Sequence, residues 1–193
     1  KAAVWRMPAL DGPAVRVIPD ADDVAVSPDG TRVAFVRSAG PTMDKRVAVA
    51  PLSDASQARF LTSDGDGLWE HRDPAWSPDG SRICYRAQTS LWVVELAGGK
   101  PRQLLAGEHP MLSPSWSRDG ERVYFGALDR TIYAVDALTG DLVWEQSISS
   151  AILSSPALGT DGQLYVASLD GSVYALNVAT GDFLWDEPFQ AEA

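Results

Sequence analysis

The feature that most constrains this chain is an internal repeat. The stretch Asp73-Pro74-Ala75-Trp76-Ser77-Pro78-Asp79-Gly80 has three further copies. They are Asp23-Val24-Ala25-Val26-Ser27-Pro28-Asp29-Gly30, Ser113-Pro114-Ser115-Trp116-Ser117-Arg118-Asp119-Gly120 and Ser155-Pro156-Ala157-Leu158-Gly159-Thr160-Asp161-Gly162. Their Asp-Gly pairs are separated by 50, 40 and 42 residues. Self-similarity at such a period marks a repeat architecture, in which no unit can bury its apolar face alone.

Each period reads as four strands. In the third, strands are expected at 114–117, 122–127, 131–136 and 142–147. They are rich in Val, Ile, Tyr, Phe and Trp and are bounded by Gly, Asp and Ser. Asp and Gly accept the left-handed conformations of tight hairpins, so Asp29, Asp79, Asp119 and Asp161 are read as structural. Arg82-Ile83-Cys84-Tyr85-Arg86 carries apolar residues in a row, the pattern of a strand covered on both faces. The long first period is assigned to a longer loop at 38–44 and a longer link at 63–72. No segment keeps a helical period.

Four-stranded antiparallel units at this spacing predict an all-β fold, the β-propeller. Four full blades are placed at about 20–63, 64–107, 108–149 and 150–188, after an N-terminal half blade at 1–19, in one domain over 1–193. The seven Trp mostly recur at matching repeat positions, which makes them repeated core slots.

Two families are resembled. Ala25-Val26-Ser27-Pro28-Asp29-Gly30-Thr31-Arg32-Val33-Ala34-Phe35 and Pro74-Ala75-Trp76-Ser77-Pro78-Asp79-Gly80-Ser81-Arg82-Ile83 resemble the TolB-type propeller repeat, which is WD-like. Ile132-Tyr133-Ala134-Val135-Asp136-Ala137-Leu138-Thr139-Gly140-Asp141-Leu142-Val143-Trp144 resembles the PQQ-type repeat of BamB-like propellers, as does Val173-Tyr174-Ala175-Leu176-Asn177-Val178-Ala179-Thr180-Gly181-Asp182-Phe183-Leu184-Trp185. That resemblance implies that Trp144 and Trp185 dock between blades and bind no quinone. It also implies an extracytoplasmic, periplasmic setting and a protein or peptide partner. TolB-like propellers sit in front of serine peptidases, but no peptidase domain is recognisable in this sequence. Fold is strongly implied by these matches and function weakly.

The half blade raises the question of closure. A five-bladed ring with one thin blade, an association of copies through open edges and a piece of a longer propeller all fit the sequence. Unpaired strand edges favour association, so a homo-oligomer is the expectation for an open form.

Charge narrows the partners. With 26 acidic and 16 basic residues the net charge is −10. Nucleic-acid affinity is dominated by phosphate contacts, so a nucleic-acid partner is not expected, nor an electrostatic grip on anionic lipid. No apolar run is long enough to cross a bilayer. The single cysteine, Cys84, lies in a strand pattern and reads as a buried structural thiol.

Sequence motifs for catalysis are missing: there is no Gly-x-Ser-x-Gly, no His-Glu-x-x-His, no Cys-x-x-Cys. No cofactor is expected. The best site candidates are the links entering the first strand of each blade. Asp23, Asp73, Ser113 and Ser155 occupy equivalent positions, with Asp22, Trp69, Glu70, His71, Glu108 and His109 nearby. Together they describe an acidic collar at a channel mouth. It could hold a metal or small cation, or be solvated loop residues that bond backbone amides. Asp64-Gly65-Asp66-Gly67 has a calcium-loop start, but Leu68 and Ala75 stand where oxygen ligands are required. The reading is a non-enzymatic scaffold of the bacterial cell envelope that holds a protein. The alternative is a ligand-sensing propeller domain of a larger receptor or kinase.

Overall fold

The computed structural model describes residues 3–6, 13–39, 44–63, 68 and 70–190. The half blade is a two-stranded sheet of β1 (Ala3–Arg6) and β2 (Val15–Pro19). The first full blade holds β3 (Asp22–Val26), β4 (Arg32–Ala39), β5 (Asp44–Pro51) and β6 (Arg59–Phe60). The second holds β7 (His71–Trp76), β8 (Arg82–Ala87), β9 (Ser90–Glu95) and β10 (Arg102–Leu105). The third holds β11 (Met111–Trp116), β12 (Arg122–Ala127), β13 (Thr131–Asp136) and β14 (Leu142–Ser147). The fourth holds β15 (Ala157–Leu158), β16 (Gln163–Ala167), β17 (Ser172–Asn177) and β18 (Phe189–Gln190). In each full blade four antiparallel strands follow one another in chain order, the blade architecture of a β-propeller. The expected all-β fold of four full blades and a half blade is what the sheets form.

The chain divides into two compact units, Lys1–Gln88 with Val93–Pro101, and Thr89–Trp92 with Arg102–Ala193. In the first, Ile18, Ala21, Val33, Phe35, Ala48 and Ala50 form a buried cluster. In the second, Tyr124, Ile132, Trp144, Ile152, Leu164 and Leu176 belong to another.

The repeated hairpin has a repeated cause. The Ser27 hydroxyl donates to Asp29 at 2.5 Å and accepts from the Arg32 amide at 2.9 Å, while the Asp29 carboxylate accepts from the Thr31 amide at 3.0 Å. The same contacts recur at Ser77, Asp79 and Arg82, and at Ser117, Asp119 and Arg122. Gly80 follows with φ 68°, a left-handed value that suits glycine. The hydrogen bonds from Ser27 and Thr31 hold Asp29 at about 2, and the Ser77, Ser81 and backbone contacts do the same for Asp79. In the fourth blade Gly159 stands at the serine position, and the device moves one hairpin onward. There the Ser168 hydroxyl donates to Asp170 at 2.5 Å, and the Ser172 amide donates to it at 3.1 Å.

Blades meet through a second repeated contact. The residue after the third strand is Leu52, Leu96, Ala137 or Val178, and its amide bonds the first hairpin of its own blade, for example Ala137 to the Glu121 carbonyl at 2.8 Å. In Leu96, Ala137 and Val178 the carbonyl of the same residue accepts from the preceding blade. Arg59 donates to Leu96 at 2.6 Å, and Arg102 donates to Ala137 at 3.0 Å. Val178 accepts from the Trp144 indole at 3.0 Å, from Arg122 at 3.1 Å and from Tyr124 at 3.2 Å. A Cβ on Gly181 would lie 2.7 Å from the Trp144 ring, so only glycine lets the indole seat there. This is the inter-blade docking expected of Trp144, which is 8% exposed. Trp185, its counterpart in the fourth blade, is 42% exposed and touches Tyr165 of its own blade at 5.9 Å.

Two details differ from expectation. The longer loop placed at 38–44 is partly strand: β4 and β5 pair all the way to Ala39 opposite Asp44, so the extra residues lengthen a hairpin. In the fourth blade the outer strand is not the stretch around Trp185. Phe183 makes an isolated bridge to Leu176, and Phe189 pairs with Val173 instead.

Candidate functional site

The collar positions share one backbone feature. The register of the first two strands slips between Asp22 and Val24, between Arg72 and Ala75, and between Leu112 and Ser115. The residues in these bulges are Asp23, Asp73 and Ser113, with φ of 41°, 53° and 48°. A left-handed residue without glycine is uncommon, and Asp and Asn are enriched there. The repeated Asp and Ser are therefore bulge residues first. Ser155, in the corresponding place of the fourth blade, is exposed and precedes the short β15.

In the first unit the collar is an ion-pair network. Lys45 contacts Asp22 at 2.9 Å, Arg72 contacts Asp23 at 3.5 Å and Glu70 at 3.4 Å, and Arg86 contacts Asp73 at 3.4 Å. Four carboxylates thus meet three cations on β3, β5, β7 and β8 and at Glu70, just before β7. Each pair is partly exposed and worth about 0.2–1 kcal/mol. The sequence-based collar contains acidic, His, Ser and Trp residues but none of the cations Lys45, Arg72 and Arg86. The available signal was Arg72 beside Asp73, with Arg86 directly opposite Arg72 in register.

His71 is not on that surface. It is fully buried on β7, with its ring 5.3 Å from Tyr85. Its Nδ1 lies 2.5 Å from the Lys45 carbonyl oxygen, which fixes the proton on Nδ1. As a core residue it offers no ligand to a collar. Trp69 and the loop Asp64-Gly65-Asp66-Gly67 lie outside the described residues. Among the described residues no group of three or more His, Cys, Asp or Glu side chains is placed to hold a metal ion.

In the second unit His109 and Glu108 line a cavity of about 310 Å³ together with Met111, Asp129, Tyr133 and Leu142. The Tyr133 hydroxyl donates to Asp129 at 2.7 Å, and burial together with that carboxylate pushes the phenol up to about 12. His109 therefore shares a cavity with Asp129 of the β12–β13 turn, a placement that its position in the linking segment did not reveal. Cys84 is buried, as its strand pattern implied. Among the described residues no helix is long and apolar enough to cross a membrane.

A Bacillus subtilis protein named uncharacterized peptidase YuxL is 28% identical over 123 residues, covering 56% of this chain. The aligned region is 17% of that protein's length. The model of a family described as outer membrane protein assembly factor BamB matches residues 81–192. That span begins in the hairpin of the second blade and takes in all of the third and fourth, with the Trp144 seat between them. It is more than half of the chain, and the chain belongs to the BamB family of PQQ-type repeat propellers.

Proposed function

We propose that this propeller is a non-enzymatic scaffold that holds a protein or peptide partner in the bacterial cell envelope. The observation that carries the reading is membership of the BamB family across the third and fourth blades. The collar of the first unit supports it. Its carboxylates are paired with Lys45, Arg72 and Arg86, so it offers a surface of both signs rather than a bare acidic cup for a cation. Mixed charge around a blade end suits the polar rim of a protein contact. The first two blades are read as TolB-type, on the Ser-Pro-Asp-Gly hairpins at 27–30 and 77–80.

The test uses a photo-crosslinking amino acid at Glu70 and, in a second variant, at the outlying Leu138. Both are irradiated in the host's envelope. The expected result is one discrete protein adduct from position 70 and none from position 138. Equal labelling from both positions overturns the collar as the contact surface. Turnover of fluorogenic peptides by the purified chain, in proportion to its concentration, overturns the non-enzymatic role.

A second reading is a ligand-sensing propeller of a larger receptor or kinase. It is favoured by the small share, 17%, that this chain covers of its peptidase-named relative. An open reading frame continuing into a catalytic or receptor domain selects it.

A further inference from the structure

The seam contacts described above contain one exception. Arg16 of β2, Arg59 of β6 and Arg102 of β10 occupy the same place in their outer strands, two residues before Ile18, Leu61 and Leu104. Arg59 closes over the Leu96 carbonyl and Arg102 over the Ala137 carbonyl. By this rule Arg16 belongs on the carbonyl of Leu52. Instead, a cavity of about 640 Å³ opens there, within the first compact unit, lined by Arg16, Val17, Arg37, Leu52, Ser53 and Asp54 among others. The Arg16 guanidinium has no hydrogen bond or ion pair among the described residues.

Arg37 adds a second cation with an unused donor. Its guanidinium stacks 4.9 Å above Phe35 and gives one N–H to the Pro19 carbonyl at 3.0 Å. Its Nε is buried and has no hydrogen-bond partner among the described residues. A buried donor left unmade is costly, and an oxyanion is the acceptor that a guanidinium fork fits. Among the described residues the one carboxylate in the wall is already occupied. Asp54 accepts from the Ser56 amide at 3.0 Å, the Ser56 hydroxyl at 2.6 Å and the Gln57 amide at 2.8 Å. Two guanidiniums against one satisfied carboxylate leave a positive pocket on a protein whose net charge is −10. Its volume lies in the range of small-molecule sites. Val17, Leu52, Ala55 and Ala58 give the rest of the wall an apolar character.

We infer that the seam between the half blade and the first blade binds a small oxyanion ligand, a carboxylate or phosphate compound, between Arg16 and Arg37. The inference is independent of the scaffold reading, since it concerns neither the collar nor the partner surface.

The test is a titration of the whole chain with citrate, inorganic phosphate and, as a neutral control, glycerol. It is followed by calorimetry and by amide NMR shifts at residues 52–58. Expected is saturable binding of citrate or phosphate with shifts confined to that segment, and no response to glycerol. Citrate saturating without phosphate identifies the carboxylate class, and the converse the phosphate class. Arg16→Gln, a change at an exposed position, weakens binding at least tenfold. Arg37→Lys, which keeps the charge and removes Nε, weakens it severalfold. Arg59→Gln, whose guanidinium is committed to Leu96, leaves it unchanged. Non-saturating shifts for both anions, or an Arg16→Gln chain that binds as the parent does, overturn the inference.

Discussion

At the scale of single residues, the serine of each hairpin does most of the ordering. Ser77 is fully buried, and its hydroxyl serves both the Asp79 carboxylate and the Arg82 backbone. Ser77→Ala leaves the Arg82 amide without its acceptor and is expected to cost about 1–2 kcal/mol in urea denaturation. The same change has an independent signature. Asp79 titrates at about 2 in the folded chain because of Ser77 and Ser81, against an ordinary 3.8. Its folded pKa is depressed, so its contribution is present above pH 3.8 and is lost as pH falls toward 2. In Ser77→Ala the carboxyl midpoint followed by carbon NMR moves back up toward 3.8. At the bulge, Asp73 combines a left-handed backbone with an Arg86 contact. Asp73→Asn keeps the first and loses the second, and is expected to change stability by less than about 1 kcal/mol. Asp73→Val places a β-branched residue in left-handed space and costs about 1–2 kcal/mol more. Equal stability of the two variants contradicts the bulge assignment. The recurrence of Asp23 and Asp73 is plain in the sequence. The sign of φ is not, because a repeat period carries no information on which side of zero a residue sits.

Elements reveal the same limit at longer range. Trp144 and Trp185 stand in near-identical sequence contexts, yet one is 8% and the other 42% exposed. The difference lies in what receives the ring. Gly181 and the Val178 carbonyl receive Trp144, and both are more than thirty residues away. Trp144→Ala is expected to lose about 3–5 kcal/mol, and Trp185→Ala less than about 1 kcal/mol. Gly181→Ala should resemble the Trp144 loss in kind, since its Cβ would meet the ring at 2.7 Å and its φ is 79°. Thermal unfolding of the three variants checks the order. Strands two and three of each blade follow directly from the alternation of apolar runs and turn residues. Outer strands do not. The fourth blade recruits Phe189–Gln190 rather than the stretch holding Trp185, and no periodic pattern announces a two-residue strand.

For the molecule as a whole, charge and edges determine behaviour in solution. The fourth blade ends on a two-residue edge strand, in which Phe189 is 62% exposed, and Trp185 before it is half-exposed. Apolar groups next to an unpaired edge promote association. Light scattering is expected to return a mass that rises with protein concentration, and Trp185→Glu is expected to lower it. A constant monomer mass over two decades of concentration rules this out. The repeat and the turn residues made the propeller blades legible. Candidate sites were less so, because charge pairing across strands depends on register: Asp73 was visible, while its partner Arg86 lies thirteen positions away on the next strand.

One further consequence comes from the seams. At Leu96, Ala137 and Val178 the receiving group is a backbone carbonyl, identical whichever side chain the residue carries. The donating group varies freely between arginine and tryptophan. A blade can therefore be duplicated, exchanged or replaced by one of different ancestry without redesign of its neighbour, because the receiving half of each joint is written into the main chain. At the joint of Arg102 and Ala137 an arginine-bearing strand is already seated on a Thr-Gly-Asp turn.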